Sequence, residues 1–350
     1  VCGTQGKNIE DADVIVNFGT VDKPRESTSI PSYEFKAGGV RPTSFVSVDG
    51  GITALKSSND NNVGSDGVMR AGWMEVEGFR YYLPDGILAT GWQIINGNQT
   101  AMMFVYYIIK NKIALGQLKS SDFLVKTIVT TEVIAEMAKK NNVELRDCYT
   151  GFKWIAREIA ISEGKQKYIG GGEESFGFLP YDKVRDKDAP ASICLICEIA
   201  AWAKDQGKTL YDLLMDIYKE YGFSFEYTIN VTKPGKSGAD EIKQMMVDFR
   251  GEKAPKEIAG SPVVLTKDYQ TLVAKDGQGN ESKLDFPATS NVLQYFCEDG
   301  TKISVRPSGT EPKIKFYCEI KDTMTCACQY TELVEKAKAK VEEIKKSLGL

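Results

Sequence analysis

Two short stretches carry residue types and spacings that could do chemistry. In YIGGGEESFGFLP, residues 168–180, a run of glycines meets two adjacent carboxylates and a serine. Gly170, Gly171 and Gly172 can take positive φ and let a backbone approach a ligand closely. Glu173 and Glu174 are neighbours, so in extended backbone their side chains point to opposite faces. A carboxylate accepting from two vicinal hydroxyls is a common way to hold a sugar, and Ser175 adds a donor and an acceptor. The competing reading is a strand-to-helix loop whose acids cap the next helix; spacing alone does not separate the two. A few residues on, KVRDKDAP sets Arg185 and Lys187 close to the Glu pair. Acids for hydroxyls and bases for phosphate suit a phosphorylated polyol; a solvated charged loop is the alternative.

The second stretch is VRPSGTEPKIKFY, residues 305–317. A strand ends at Arg306, whose guanidinium fork suits phosphate. Ser308, Gly309 and Thr310 form a tight turn whose N–H groups and hydroxyls can face inward as an anion nest. Lys313 and Lys315 alternate on the following strand and share a face. So many phosphate-seeking groups in so short a segment favour an anion site over a plain hairpin.

The elements that must position these loops follow from patterning. DFLVKTIVTT reads as a buried strand. EVIAEMAKKNNVEL and FKWIAREIAISEGK read as amphipathic helices, and YIGGG as a strand entering a turn. ICLICEIAAWAKDQGK and TLYDLLMDIYKEYG read as helices ending near Gly. Such alternation implies α/β layers with right-handed crossovers. After Gly222 the pattern changes: FSFEYTINV, PVVLTKDYQTLVA, NVLQYFCED and KISVRPSGTEPKIKFYCEI read as antiparallel strands, with ADEIKQMMVDFRG and ELVEKAKAKVEEIKKSL as helices. The expected fold class is α/β: two successive three-layer α/β domains, 1–94 and 95–221, then an α+β domain with an antiparallel sheet, 222–350.

Composition narrows the function. The chain has 350 residues, 42% apolar and 26% charged, with a formal charge of −4, as an ordinary globular protein of two or three domains would. The acidic balance argues against bulk nucleic-acid binding and against an anionic membrane surface. No apolar run approaches the roughly 18–20 residues of a membrane span. Histidine is absent, which removes Ser–His, Cys–His and His-ligated metal mechanisms. All eight cysteines are expected to be reduced thiols of a cytoplasmic protein. Cys194 and Cys197 form a CxxC, read as two small apolar residues on one helix face in preference to a metal or redox pair.

GEESFG followed by VRDKDA, then RPSGTEPKIKFY, together with TGFKWI at 150–155, resemble the α-D-phosphohexomutase superfamily of phosphoglucomutases and phosphomannomutases. The resemblance runs from about Trp92 to Ile320. It implies a domain order around one cleft: a phosphoserine domain, a Mg²⁺ loop of the type DxDxDR, the sugar loop and the phosphate loop. By that resemblance Glu173 and Ser175 would hold sugar hydroxyls, and Lys187, with Arg185 beside it, would serve phosphate and acid–base work. Arg306, Ser308, Gly309, Thr310 and Lys315 would hold the non-transferred phosphate, and Lys153 would face the cleft. The activity implied is interconversion of hexose 1- and 6-phosphates, glucose before mannose, through a bisphosphate. A non-catalytic phosphosugar-binding protein and a phosphopentomutase are the alternatives.

The pattern departs from the family twice. The serine loop, usually Ser followed by His-Asn-Pro, has no counterpart, and Val1 falls near the start of the family's second domain. The phosphoserine domain is therefore expected to be missing. In place of DxDxDR stands EVEGFR, residues 75–80, where Glu75 and Glu77 would be the Mg²⁺ ligands.

Overall fold

The structure is a computed structural model. It describes residues 95–251, 253–309 and 311–350, setting aside the side chains of 235 and 236; of the first 94 residues, only the backbone of short strands is described. Gly72–Val76 pairs antiparallel with Phe79–Leu83, setting Glu75 opposite Arg80. The expected domain 1–94 and the side chains of Glu75 and Glu77 lie outside the described residues, as does Thr310.

The first described unit begins with α1 (Gly97–Ala114), opened by a capping box between Asn96 and Gln99. Then follow β1 (Asp122–Thr127), α2 (Val133–Lys140), β2 (Glu144–Cys148), α3 (Phe152–Ser162), β3 (Lys167–Gly172), β4 (Phe178–Leu179), α4 (Ala189–Asp205) and α5 (Leu210–Tyr221). The sheet order is β4-β3-β1-β2; β1 is parallel to both its neighbours and β4 is antiparallel to β3. The chain leaves β1 for β2 through α2, then crosses back over β1 through α3. Right-handed crossovers in opposite directions place those helices on opposite faces. The packing agrees: Leu124 and Ile169 join the core containing α1, α2 and α5, while Phe123, Val125 and Tyr168 pack under α3 with Ile155 and Ile159.

Patterning did not reveal β2. Its sequence ELRDC is half exposed and charged, so no apolar run marks it, and VEL was joined to the preceding helix. It forms because the ladder of β1 offers a free edge to parallel pairing.

The C-terminal unit holds β5 (Phe223–Thr232), α6 (Gly235–Arg250), β6 (Ser261–Asp268), β7 (Val273–Asp276), β8 (Glu281–Lys283), β9 (Leu293–Cys297), β10 (Lys302–Pro307), β11 (Lys313–Asp322) and α7 (Tyr330–Leu348). The sheet is antiparallel, in the order β5-β11-β10-β9-β6-β7-β8. Its central strands are two-faced. In β5, Phe223, Phe225, Ile229 and Val231 join the core and alternate with Ser224, Glu226, Thr228 and Asn230, as period-two side chains must. The same split runs through β10, with Ile303 and Val305 against Lys302, Ser304 and Arg306. α7 covers the apolar face through Ala337, Val341, Ile344 and Leu348. The polar face turns toward the first unit. The apolar core is continuous between the units through Tyr218, Phe223 and Tyr330, whose rings lie 5.2–6.1 Å apart.

One cysteine expectation is corrected. Cys326 and Cys328 are joined as a disulfide, their Cα atoms 5.3 Å apart; with one residue between them, the extended backbone at Cys326 brings the thiols together. Cys194 and Cys197 are free and exposed on α4, because Leu195 and Ile199 occupy its buried face.

Candidate functional site

In an open α/β sheet, ligands bind beyond the carboxyl ends of strands where successive connections diverge. Here that point lies between β1 and β3, since β1 connects toward β2 and β3 toward β4. The glycine–carboxylate loop leaves β3 at this place. Glu173 is buried, and its Oε1 accepts from the Gly151 N–H at 2.7 Å, at the start of α3. The Glu173 N–H donates to the Gly177 carbonyl at 2.7 Å, closing the loop. Glu174 turns the other way and accepts from the Thr127 hydroxyl at the end of β1, 3.3 Å away. Adjacent carboxylates on opposite faces thus tie the loop to two neighbouring strand ends.

The glycines have a different task from the one their flexibility suggests. Gly171 and Gly172 lie within β3, and backbone crowding requires them. A Cβ at Gly171 would stand 2.2 Å from the Val125 carbonyl oxygen, and one at Gly172 2.4 Å from that of Gly177. The left-handed turn falls on Phe176, φ 66°, a conformation that costs a bulky residue about 1–2 kcal/mol. Beneath the loop lies the N-terminus of α1: a Cβ at Gly97 would sit 1.9 Å from the Glu174 carbonyl oxygen.

The polar face of the C-terminal sheet meets this region in three rows, set by strand register. Glu226, Glu319 and Lys302 form the first, Thr228, Tyr317 and Ser304 the second, Asn230, Lys315 and Arg306 the third. Successive rows stand about 7 Å apart along the strands. The first row is locked against the α/β unit. Lys302 Nζ lies 2.6 Å from Glu132 Oε1 and 3.0 Å from Glu319 Oε2, and Glu319 Oε1 accepts from the Glu132 N–H at 2.7 Å, at the start of α2. Lys126 reaches Glu132 at 3.1 Å and Asp147 at 2.9 Å. Beside the second row, Gln294 donates to the Ile128 carbonyl at 2.7 Å and to Ser304 at 2.8 Å.

Electrostatics follow from this packing. Burial works against charge on Lys302, but Glu319 and Glu132 outweigh it and hold the ammonium charged. Burial also opposes ionisation of Glu132, and Lys126 with Lys302 more than offset it, keeping that carboxylate charged. At Glu226, burial and then Glu319 outweigh hydrogen bonds from Thr131 and Ser224 and the attraction of Lys302, and push its carboxyl up to about 7. Burial likewise raises Glu174, against a lowering influence of Arg306. The second row, through Thr228 and Tyr317, lines a small cavity together with Glu174, Asn98 and Val129, and the third row follows it along the strands.

The structure therefore brings Glu174, with Glu173 beside it, to the polar sheet face that also carries the partly buried Arg306, with Lys315 opposite Arg306 in the ladder. Ser308 begins the turn, its N–H donating to the Lys313 carbonyl at 2.8 Å; Ser175 and Gly309 are exposed. The Lys187 stem passes 3.2 Å from a Cβ built at Gly177, and Glu173 Oε2 3.1 Å from it, so Lys187 borders the Glu173 carboxylate; its ammonium pairs with Asp186 at 2.8 Å. Lys153 is exposed in the first turn of α3, 5.3 Å from the Trp154 ring centre. Arg185 is not in this group. It pairs with Glu163 beyond the last turn of α3, while Glu173 holds the first, about 17 Å away along the axis. Among the described residues no group of three or more Cys, Asp or Glu could hold a metal ion. The interface residues Glu132, Gln294, Lys302 and Glu319 were missed; the strictly alternating polar positions of FSFEYTINVT and KISVRP were the signal for a second, buried polar face.

Comparison with known proteins identifies the family. Residues 96–221 match the family model for phosphoglucomutase/phosphomannomutase, alpha/beta/alpha domain III, and residues 239–329 the model for its C-terminal domain. The phosphoglucomutase of Staphylococcus aureus strain MRSA252 is 38% identical over 227 residues, 65% of this chain and 40% of that protein. That of Staphylococcus epidermidis is 36% identical over 226 residues, with 64% and 40% covered. The chain thus spans about 40% of the length of the curated relatives it matches. Among solved structures, the open form of the Paramecium phosphoglucomutase pp63/parafusin aligns over 83% of this chain and 48% of its own, with 17% identity and a TM-score of 0.46. The two family models together cover more than half of the chain, which belongs to the phosphoglucomutase/phosphomannomutase family.

Proposed function

We propose that this member of the phosphoglucomutase/phosphomannomutase family binds a phosphorylated hexose, glucose 1- or 6-phosphate before mannose, between its two loops. Glu173 and Ser175 take sugar hydroxyls. Arg306, Ser308, Gly309, Thr310 and Lys315 take the phosphate that is not transferred. Lys187, beside the Glu173 carboxylate, is the group for proton movement at the sugar, and Lys153 borders the cleft. Arg185 joins only by leaving Glu163. The observation that carries the reading is the cavity that Glu174 shares with Thr228 and Tyr317, one row from Arg306 and Lys315, near the switch point of the α/β sheet. A ligand with hydroxyls at one end and a phosphate dianion at the other complements that pairing.

Phosphoryl transfer needs positioning and charge stabilisation more than covalent chemistry from the protein. Bound Mg²⁺ would stabilise charge on the transferring group. The side chains of its expected ligands, Glu75 and Glu77, lie outside the described residues. With no histidine in the chain, the family's Ser-His-Asn-Pro loop is not within it, and we assign the phosphoserine to a further domain. The reading predicts that the 350-residue chain binds glucose 6-phosphate in a calorimetric titration and that Arg306→Ala weakens binding at least about tenfold, the loss of one charge-assisted contact. It also predicts no interconversion of glucose phosphates by the chain alone. Absence of binding, or turnover without a partner, would contradict it.

A further inference from the structure

Arg306 and Lys302 stand four residues apart on β10 and share its polar face. They are about 13 Å apart along the strand. The polar face between them, through Thr228 and Tyr317, lines one cavity with Glu174 of the glycine–carboxylate loop. Lys302 is fixed to the α/β unit by Glu132 at 2.6 Å and to its own sheet by Glu319 at 3.0 Å. Lys302 Nζ also donates to the Thr130 carbonyl at 3.2 Å, in the segment that follows β1. The segment beyond β1 thus has Lys302 at Thr130, while Thr127 at the strand end holds Glu174. One side chain therefore gives β10 its place relative to the strand that supports the loop.

Resting on the two-loop reading above, we propose that Lys302 is a positioning residue for substrate: the Glu132–Lys302–Glu319 bridge sets the distance between the carboxylate loop and Arg306. Lys302 does not touch the ligand. It acts through β10, whose ladder to β11 runs unbroken from Lys302–Glu319 to Arg306–Lys315. A sheet so braced moves as a unit, so loss of the bridge shifts the phosphate turn against the sugar loop without altering the turn itself.

This gives a signature that a purely stabilising residue lacks. Inorganic phosphate needs only the turn, whereas glucose 6-phosphate must reach both loops. In calorimetric titrations of the intact chain, Lys302→Met should weaken glucose 6-phosphate on the order of tenfold or more, because misplacement of about an ångström is that costly. Inorganic phosphate should bind Lys302→Met within about twofold of the unsubstituted chain, since exposed contacts are unchanged. Lys302→Arg, which keeps the charge, should recover much of the lost affinity. Glu132→Gln weakens the same bridge while keeping an acceptor oxygen, and serves if Lys302→Met does not fold; it should show the same split at smaller amplitude. Equal losses for both ligands, or no loss for glucose 6-phosphate while Arg306→Ala still weakens it, would overturn the proposal alone. An unsubstituted chain that binds neither ligand would overturn the two-loop reading and the proposal with it.

Discussion

The two loops hold like amounts of charge in opposite ways. The glycine–carboxylate loop is fastened from within: Glu173 to the start of α3, Glu174 to the end of β1, and its backbone down onto Gly97. The cationic turn is fastened through backbone, by the β10–β11 ladder, the Ser308–Lys313 bond and the Lys233 N–H on the Pro312 carbonyl. The difference is dielectric. A buried carboxylate must find N–H or O–H donors or lose its charge, so an acidic sugar-facing loop has to be built into the fold. Arg306 is only partly buried and needs a rigid strand beneath it.

That contrast can be broken first at Gly97. An alanine there sets a methyl 1.9 Å from the Glu174 carbonyl oxygen, and backbone on both sides leaves little room to yield. Gly97→Ala should cost about 3 kcal/mol, read from urea midpoints. An unchanged midpoint would mean the loop is not seated on α1.

Next in size is Glu226, at the buried end of the same sheet face. Its carboxyl, raised from 4.5 to about 7, binds a proton more tightly folded than unfolded. Stability therefore declines as pH rises from 4.5 to 7 and is level above it. Glu226→Gln should remove that slope, gaining about 2 kcal/mol on the original chain between pH 5 and pH 8. Parallel pH profiles for the two proteins would exclude a proton held at this position.

Glu173→Leu comes third. It leaves the Gly151 N–H without its acceptor, which should cost about 1.5 kcal/mol. Hydrogen exchange at Gly151 and the first turn of α3 should quicken. Arg306→Ala is the smallest stability effect, within about 0.5 kcal/mol, although it should remove most of the affinity for phosphate. A large stability loss at Arg306 would dissolve the contrast between the two loops.

How much of this was legible beforehand depended on what each residue contacts. The helices and the buried strand β1 announce themselves by apolar periodicity, because their partners are whole faces. β2 does not, since its only partner is the backbone edge of β1. Glu173 and Arg306 stand in recognisable runs. Lys302 and Glu319 meet Glu132 from positions 170 or more residues distant, and nothing local to either records that meeting. The glycines mark a further limit: their run suggested positive φ and close approach of backbone to a ligand, whereas the carbonyls of Val125 and Gly177 make Gly171 and Gly172 packing residues. The same holds for the CxxC, whose exposure was decided by Leu195 and Ile199.

The central claim is that one ligand spans both loops. Amide resonances of the glycine–carboxylate loop and of the 306–309 turn, followed by NMR during a glucose 6-phosphate titration, test it most directly. The account predicts that both sets shift together along a single saturation curve, with inorganic phosphate moving the turn alone. Glucose 6-phosphate that moves only the turn, at the affinity of inorganic phosphate, would contradict it.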